Sequence, residues 1–203
     1  MHISEGFLSP AALAAGAVAA GAGIAWGLSR MDPDRIVRVA MASSVFFLAS
    51  LVNVRIPPGS THLSLVGAMG LLLGWASFPA IFTALLLQAA LFQFGGFLVL
   101  GANTTSMAGA AVLSYLLFGK AVREGSARVS RAASFAAGFL GVVSAAAFVA
   151  MWLVISDAGM ARAAGALFAI HMPIAAVEGV ATMFMTEYLK KVCPDVLAVP
   201  QAR

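Results

Sequence analysis

Residues 9–28 read SPAALAAGAVAAGAGIAWGL, a stretch with no charged side chain. About 20 apolar residues, rising 1.5 Å each, are what an α-helix needs to cross the hydrocarbon core of a bilayer. Ser9 is a suitable N-cap and Pro10 fits the first turn. The helix is expected to end before Arg30-Met31-Asp32-Pro33. Working outward, the pattern recurs at about 36–52, from His62 to about Ala76, at 78–94, 103–119, 132–155 and 164–189. The third of these is short and glycine-rich, and the seventh contains Pro173, where a kink is expected. The expectation is an all-α polytopic membrane protein, a compact bundle of about seven transmembrane helices.

Composition agrees with this reading. The chain has 203 residues, of which 62% are hydrophobic and 10% charged; soluble domains carry about 25% charged residues. One domain, 1–203, is expected, and the single cysteine, Cys193, excludes a disulfide framework or a cysteine-based metal site. The basic pI reflects topology and not nucleic-acid binding. Arg30, Arg35, Arg38, Lys120, Arg123, Arg128, Arg131, Lys190, Lys191 and Arg203 fall on one side of the expected bundle, against only Arg55 and Arg162 on the other. The positive-inside bias then places the N-terminus outside and the C-terminal tail, 190–203, in the cytoplasm. No internal repeat supports a transporter built from two matching halves. Gly16, Gly21, Gly23 and Gly27, with Gly67, Gly70 and Gly74, are spaced for close helix packing.

Met1-His2 is the main chemical signal. A terminal amine, the amide of residue 2 and an imidazole form fused chelate rings of nitrogen donors that suit nickel(II), copper(II) and cobalt(II). The opening lacks the basic start of a secretory signal, so residues 1–9 are expected to persist as an external metal-binding segment. His62 follows Pro57-Pro58-Gly59-Ser60-Thr61 on the same side and is either a fourth nitrogen donor or a polar interface residue. Thr61 can orient its imidazole or cap the next helix. Asn103 either caps the fifth helix or holds the N-terminal segment in place. Glu5 can attract cations or accept a bond from a backbone amide. His171 and Glu178 lie two turns apart on one face of the seventh helix, either as a structural polar contact or as part of an ion or proton relay.

The chain contains no phosphate loop, no H-E-x-x-H and no Ser-His-Asp arrangement. Met1-His2-Ile3 with Glu5-Gly6-Phe7-Leu8-Ser9-Pro10, Gly59-Ser60-Thr61-His62-Leu63, Gly95-Gly96 with Leu100-Gly101-Ala102-Asn103, and His171-Met172-Pro173 with Glu178-Gly179 resemble, in order, the CbiM/NikM family. These are the substrate-specificity membrane subunits of energy-coupling-factor transporters for cobalt and nickel. Phe94 stands where many members carry an acid, and Ser4 where proline or methionine is frequent.

The resemblance implies an external N-terminus inserted into the bundle, with the metal held by Met1, His2 and His62. It also implies a transmembrane coupling subunit, cytoplasmic ATPase subunits and, in some systems, a small accessory membrane protein. The chain is therefore expected to be a non-enzymatic uptake subunit in the lipid bilayer of a bacterial or archaeal cytoplasmic membrane. Co2+ or Ni2+ is its substrate, with no permanent cofactor and no nucleic-acid partner. Two rivals stand beside it. One is a vitamin-binding subunit in which His2 is incidental; the other is an intramembrane metalloenzyme, which requires His171 to reach the depth of His62.

Overall fold

The computed structural model describes residues 3–56 and 59–197, the side chains of 53–61 excepted. Among these residues the chain forms α1 (Pro10–Ser29), α2 (Ile36–Ser50), α3 (Val66–Leu73), α4 (Ser77–Phe92), α5 (Leu100–Glu124), α6 (Ala127–Ser156) and α7 (Ala161–Val192). Helix α1 starts where the sequence places it: Ser9 Oγ accepts the Ala12 N–H at 3.3 Å, one residue ahead of Pro10. The link between α5 and α6 is far tighter than its charge content predicts. The sequence pattern leaves polar residues 120–131 between spans, yet only Gly125 and Ser126 lie outside helix. Lys, Arg and Glu are good helix formers, so charge marks the end of the lipid-facing segment and not the end of the helix.

Among the described residues, five stretches are long and apolar enough to cross a membrane: Pro10–Ser29, Val66–Phe92, Leu100–Glu124, Ala127–Ser156 and Ala158–Val192. The chain is a multi-pass membrane protein. Helix α2, with 15 residues, is about 22 Å long and falls short of the usual span. The stretch Val66–Phe92 is not one straight rod. Ser77 Oγ donates to the Met69 carbonyl at 3.1 Å, whereas eight residues of continuous helix would hold those positions about 12 Å apart. Gly74, at φ 55° and ψ −126°, makes the reversal. Helix α3 alone, at eight residues, covers about 12 Å.

The segment before α3 is a small antiparallel hairpin, an addition to the all-helical expectation. β1 (Asn53–Ile56) pairs with β2 (Gly59–His62), with Asn53 opposite His62. The Leu63 N–H reaches the Val52 carbonyl at 3.4 Å, just beyond the last pair. Pro57-Pro58, between the two strands in the sequence, lies outside the described residues.

Lipid offers apolar residues the same surroundings as a helix interface, so packing and hydrogen bonds hold such a bundle together. Close approach is concentrated around α3 and α5. A Cβ on Gly70 would run into the Ala111 carbonyl, one on Gly67 into the Ala137 carbonyl, and one on Gly16 would lie 2.8 Å from Ala102 Cα. Hydroxyls and amides add ties between helices. Ser43 Oγ donates to the Ala80 carbonyl at 2.7 Å, Gln88 Nε2 to Ser50 Oγ at 2.5 Å, and Ser114 Oγ to the Ala137 carbonyl at 3.2 Å. Such bonds contribute on average about 0.6 kcal/mol each. Val18, Met41, Leu48, Leu116, Ile155 and Phe184 stay exposed, the surface expected to face lipid.

Candidate functional site

Glu5, His62, Asn103 and Glu178, singled out in the sequence, lie at or near the end of the bundle where the N-terminal segment docks. Close contact of Gly70 with Ala111 fixes α3 against α5. From Ala111 to Asn103 is eight residues of helix, about 12 Å; from Gly70 to Val66 is about 6 Å, with His62 four residues further on. His62 and Asn103 therefore arrive at the same end of the molecule.

Asn103 does not cap α5. It lies inside the helix, and Val99 at the N-cap position makes no side-chain capping bond. Its amide instead pairs with the backbone of Ile3: Oδ1 accepts the Ile3 N–H at 2.9 Å and Nδ2 donates to the Ile3 carbonyl at 3.0 Å. Both residues are buried, so this two-bond clamp fixes where the N-terminal segment enters the bundle. Glu5 extends the attachment. Its Oε1 accepts the Leu98 N–H at 3.0 Å, while its own N–H reaches the Gly95 carbonyl at 3.2 Å. Gly96, at φ 115°, lies against the Glu5 side chain in a space that a Cβ would occupy. The positive φ and the contact both require glycine there.

His62 is buried at the end of β2. Its Nδ1 lies 3.0 Å from the Leu63 carbonyl. A carbonyl can only accept, so Nδ1 carries the proton and Nε2 carries the lone pair. An N–H held by a backbone carbonyl is the arrangement that orients imidazoles bound to metals. Burial lowers the His62 pKa from 6.5 to about 3. The ring is thus neutral across the physiological range, the form that a metal ion accepts.

His171 and Glu178 are both buried on α7. His171 Nδ1 lies 2.7 Å from the Leu167 carbonyl, which leaves Nε2 as the lone-pair nitrogen; among the described residues it has no hydrogen-bond partner. Glu178 accepts from both the N–H and the hydroxyl of Ser64, the hydroxyl at 2.8 Å. Sequence reasoning paired Glu178 with His171 and missed Ser64. The available signal was physical: a carboxylate inside a span requires donors, and Ser64 follows closely behind His62.

Among the described residues, no three His, Cys, Asp or Glu side chains converge as a metal cluster. Met1 and His2 lie outside the described residues, as does the side chain of Thr61. What the structure brings together is a clamped N-terminal segment and a buried neutral imidazole with an oriented lone pair. Such an imidazole can donate to a borderline transition-metal ion; it does not suit magnesium or calcium, which prefer oxygen.

The model of the CbiM family, described as a cobalt uptake substrate-specific transmembrane region, matches residues 2–196. The chain belongs to that family. A Haemophilus influenzae protein named for metal transport is 39% identical, the match covering 97% of each chain. The fused nickel transport protein NikMN of Rhodobacter capsulatus is 31% identical over 100% of this chain and 65% of its own. Among solved structures, a transition metal transporter superposes with a TM-score of 0.76 at 26% identity, covering 95% of this chain and 93% of that one. The family match takes in the docked N-terminal segment, the hairpin carrying His62 and the whole of α5 and α7.

Proposed function

We propose that this chain is the substrate-capturing membrane subunit of an uptake system for divalent cobalt or nickel, with the ion held by Met1, His2 and His62. The observation that carries the reading is the Asn103 clamp on Ile3, at the end of the bundle where His62 presents a neutral, oriented ring. Met1 and His2 directly precede the clamped Ile3 in the sequence, and two residues of chain reach no further than about 7 Å. The amine and amide of that segment, the His2 imidazole and His62 Nε2 together make a four-nitrogen set, compatible with either metal. Thr61 then belongs to the support of His62, with Asn103 and Glu5 closing the segment over the ion.

In this reading all seven helices cross or line the bilayer of a bacterial or archaeal cytoplasmic membrane. The domain is single, residues 1–9 face outward, and 190–203 form a cytoplasmic tail beside the basic residues. The chain has no ATPase site, and the ion is its substrate, so no permanent cofactor is needed. Energy comes from cytoplasmic ATPase subunits through a membrane coupling subunit, with a small accessory membrane protein in some systems. The fused character of the NikMN relative supports a membrane partner at close quarters.

The test is metal content of the purified chain with a native start, beside a version carrying one residue before Met1. Near one cobalt or nickel per native chain, lost on extension, is the expected result. Equal metal in both, or none in either, overturns the N-terminal site and moves vitamin binding or His171-based metal chemistry ahead.

A further inference from the structure

A carboxylate buried in a membrane helix is costly unless it meets donors, and Glu178 is fully buried on α7. Its donors come from another element, the N–H and Oγ–H of Ser64. Ser64 sits in the three-residue link between the end of β2 at His62 and the start of α3 at Val66. That link has little regular structure of its own. Leu63 is tied back to the Val52 carbonyl at 3.4 Å, and Leu65 adopts the left-handed region at φ 47°. A non-glycine residue keeps that conformation only where its surroundings over-determine it. The His62 ring is fastened to this same link through the Leu63 carbonyl, so the ring goes where the link goes.

We propose that Glu178 is the positioning residue for His62: from α7 it grips Ser64 and thereby sets the place and orientation of the imidazole. This rests on the reading of His62 as a metal donor. A leucine of similar size would fill the space and spare the cost of burying a carboxylate, so packing alone does not account for a Glu here. The same contact joins the metal loop to α7, which continues from Glu178 to Val192, about 21 Å further along the bundle. Any displacement of α7 relative to α3 therefore acts on His62 directly, a route by which movement driven at the far end of α7 loosens the ion.

The experiment uses the full chain with its native start in lipid nanodiscs, with nickel(II) as the probe. Affinity, the ligand-field absorption of the bound ion and the melting temperature of the metal-free chain are measured for Glu178→Leu, Glu178→Gln, Glu178→Asp and His62→Ala. Removal of a group that orients a ligand weakens metal binding about 10- to 100-fold. That loss is expected for Glu178→Leu, with an altered absorption band. Glu178→Gln keeps an acceptor oxygen and is expected to restore both. Wild-type affinity and spectrum in Glu178→Leu overturn the proposal. If Glu178→Leu does not fold, Glu178→Asp decides, because its carboxylate stands back from Ser64 by one methylene. Weaker binding with unshifted melting upholds the proposal, and unchanged binding overturns it. Binding that survives His62→Ala overturns the metal-site reading and this one with it; binding lost in His62→Ala but intact in Glu178→Leu overturns the positioning role alone.

Discussion

The two ends of the bundle use polar groups in different ways. At the end where residues 3–8 dock, side chains reach the main chain of irregular segments. Asn103 holds Ile3, Glu5 holds Leu98 and Glu178 holds Ser64. At the opposite end, apart from Arg38 Nη1 donating to the Asp195 carbonyl at 3.1 Å, the ties run between helices that already exist: Arg131 of α6 pairs with Glu187 of α7, and Lys190 donates to Ser130 at 2.6 Å and to the Val122 carbonyl. A side chain that bonds a loop backbone decides where the loop lies, whereas one that links two formed helices adds to an arrangement their packing has already chosen. The first end is built for geometry and the second for cohesion.

The largest break in this comparison is expected from Asn103→Leu. It leaves a buried N–H and carbonyl of Ile3 unpaired, at about 1–3 kcal/mol each. Nickel affinity should fall on the order of 100-fold, since about 1.4 kcal/mol is a factor of ten. Isothermal titration of the native-start chain checks this, and an affinity near wild type would show that the clamp does not set the site.

Acid provides the next test. In the unfolded chain the His62 imidazole takes its proton near 6.5, while in the folded chain it does so only near 3. Between those values the unfolded state binds more protons. The stability contribution is therefore whole above pH 6.5 and is lost as the pH falls toward 3, by up to about 1.4 kcal/mol per unit. Melting of the metal-free chain at pH 6.5 and 5.5 should show the drop, and His62→Gln should flatten it. Equal slopes in the two proteins would contradict a buried neutral ring. Metal capture should also weaken with acid, but through the amine and amide donors and not through His62.

Smaller effects sharpen the contrast. Glu5→Ala removes one bond to the Leu98 N–H at an exposed position, worth about 1 kcal/mol. Roughly a fivefold loss of affinity is expected, with little change in melting. Arg131→Ala removes a solvent-exposed ion pair, worth about 0–1 kcal/mol, and should leave metal affinity untouched. A binding defect in Arg131→Ala as large as that in Glu5→Ala would erase the distinction between the two ends.

Much of the candidate site could be named from sequence without being placed. His62, Asn103, Glu5, His171 and Glu178 each stood out as polar residues in an apolar chain. Their pairings did not, because partners 93 to 114 positions apart leave no periodic trace. Asn103 illustrates the difference: its position suits a cap or a hold on the N-terminal segment, and it is the tertiary structure that puts its amide on the backbone of Ile3. The hairpin was equally hidden, since four-residue strands carry little periodicity.

What the sequence determined by itself is the membrane class and the order of the helices. Both follow from local quantities, the length of each apolar run and the residues that open and close it. Tertiary structure alone decided the reversal at Gly74 and the side-chain clamps at the end where the N-terminal segment docks. Those features depend on which backbones come within touching distance. In a bundle packed through glycine and alanine, that is set by interlocking surfaces and by buried polar groups finding their partners.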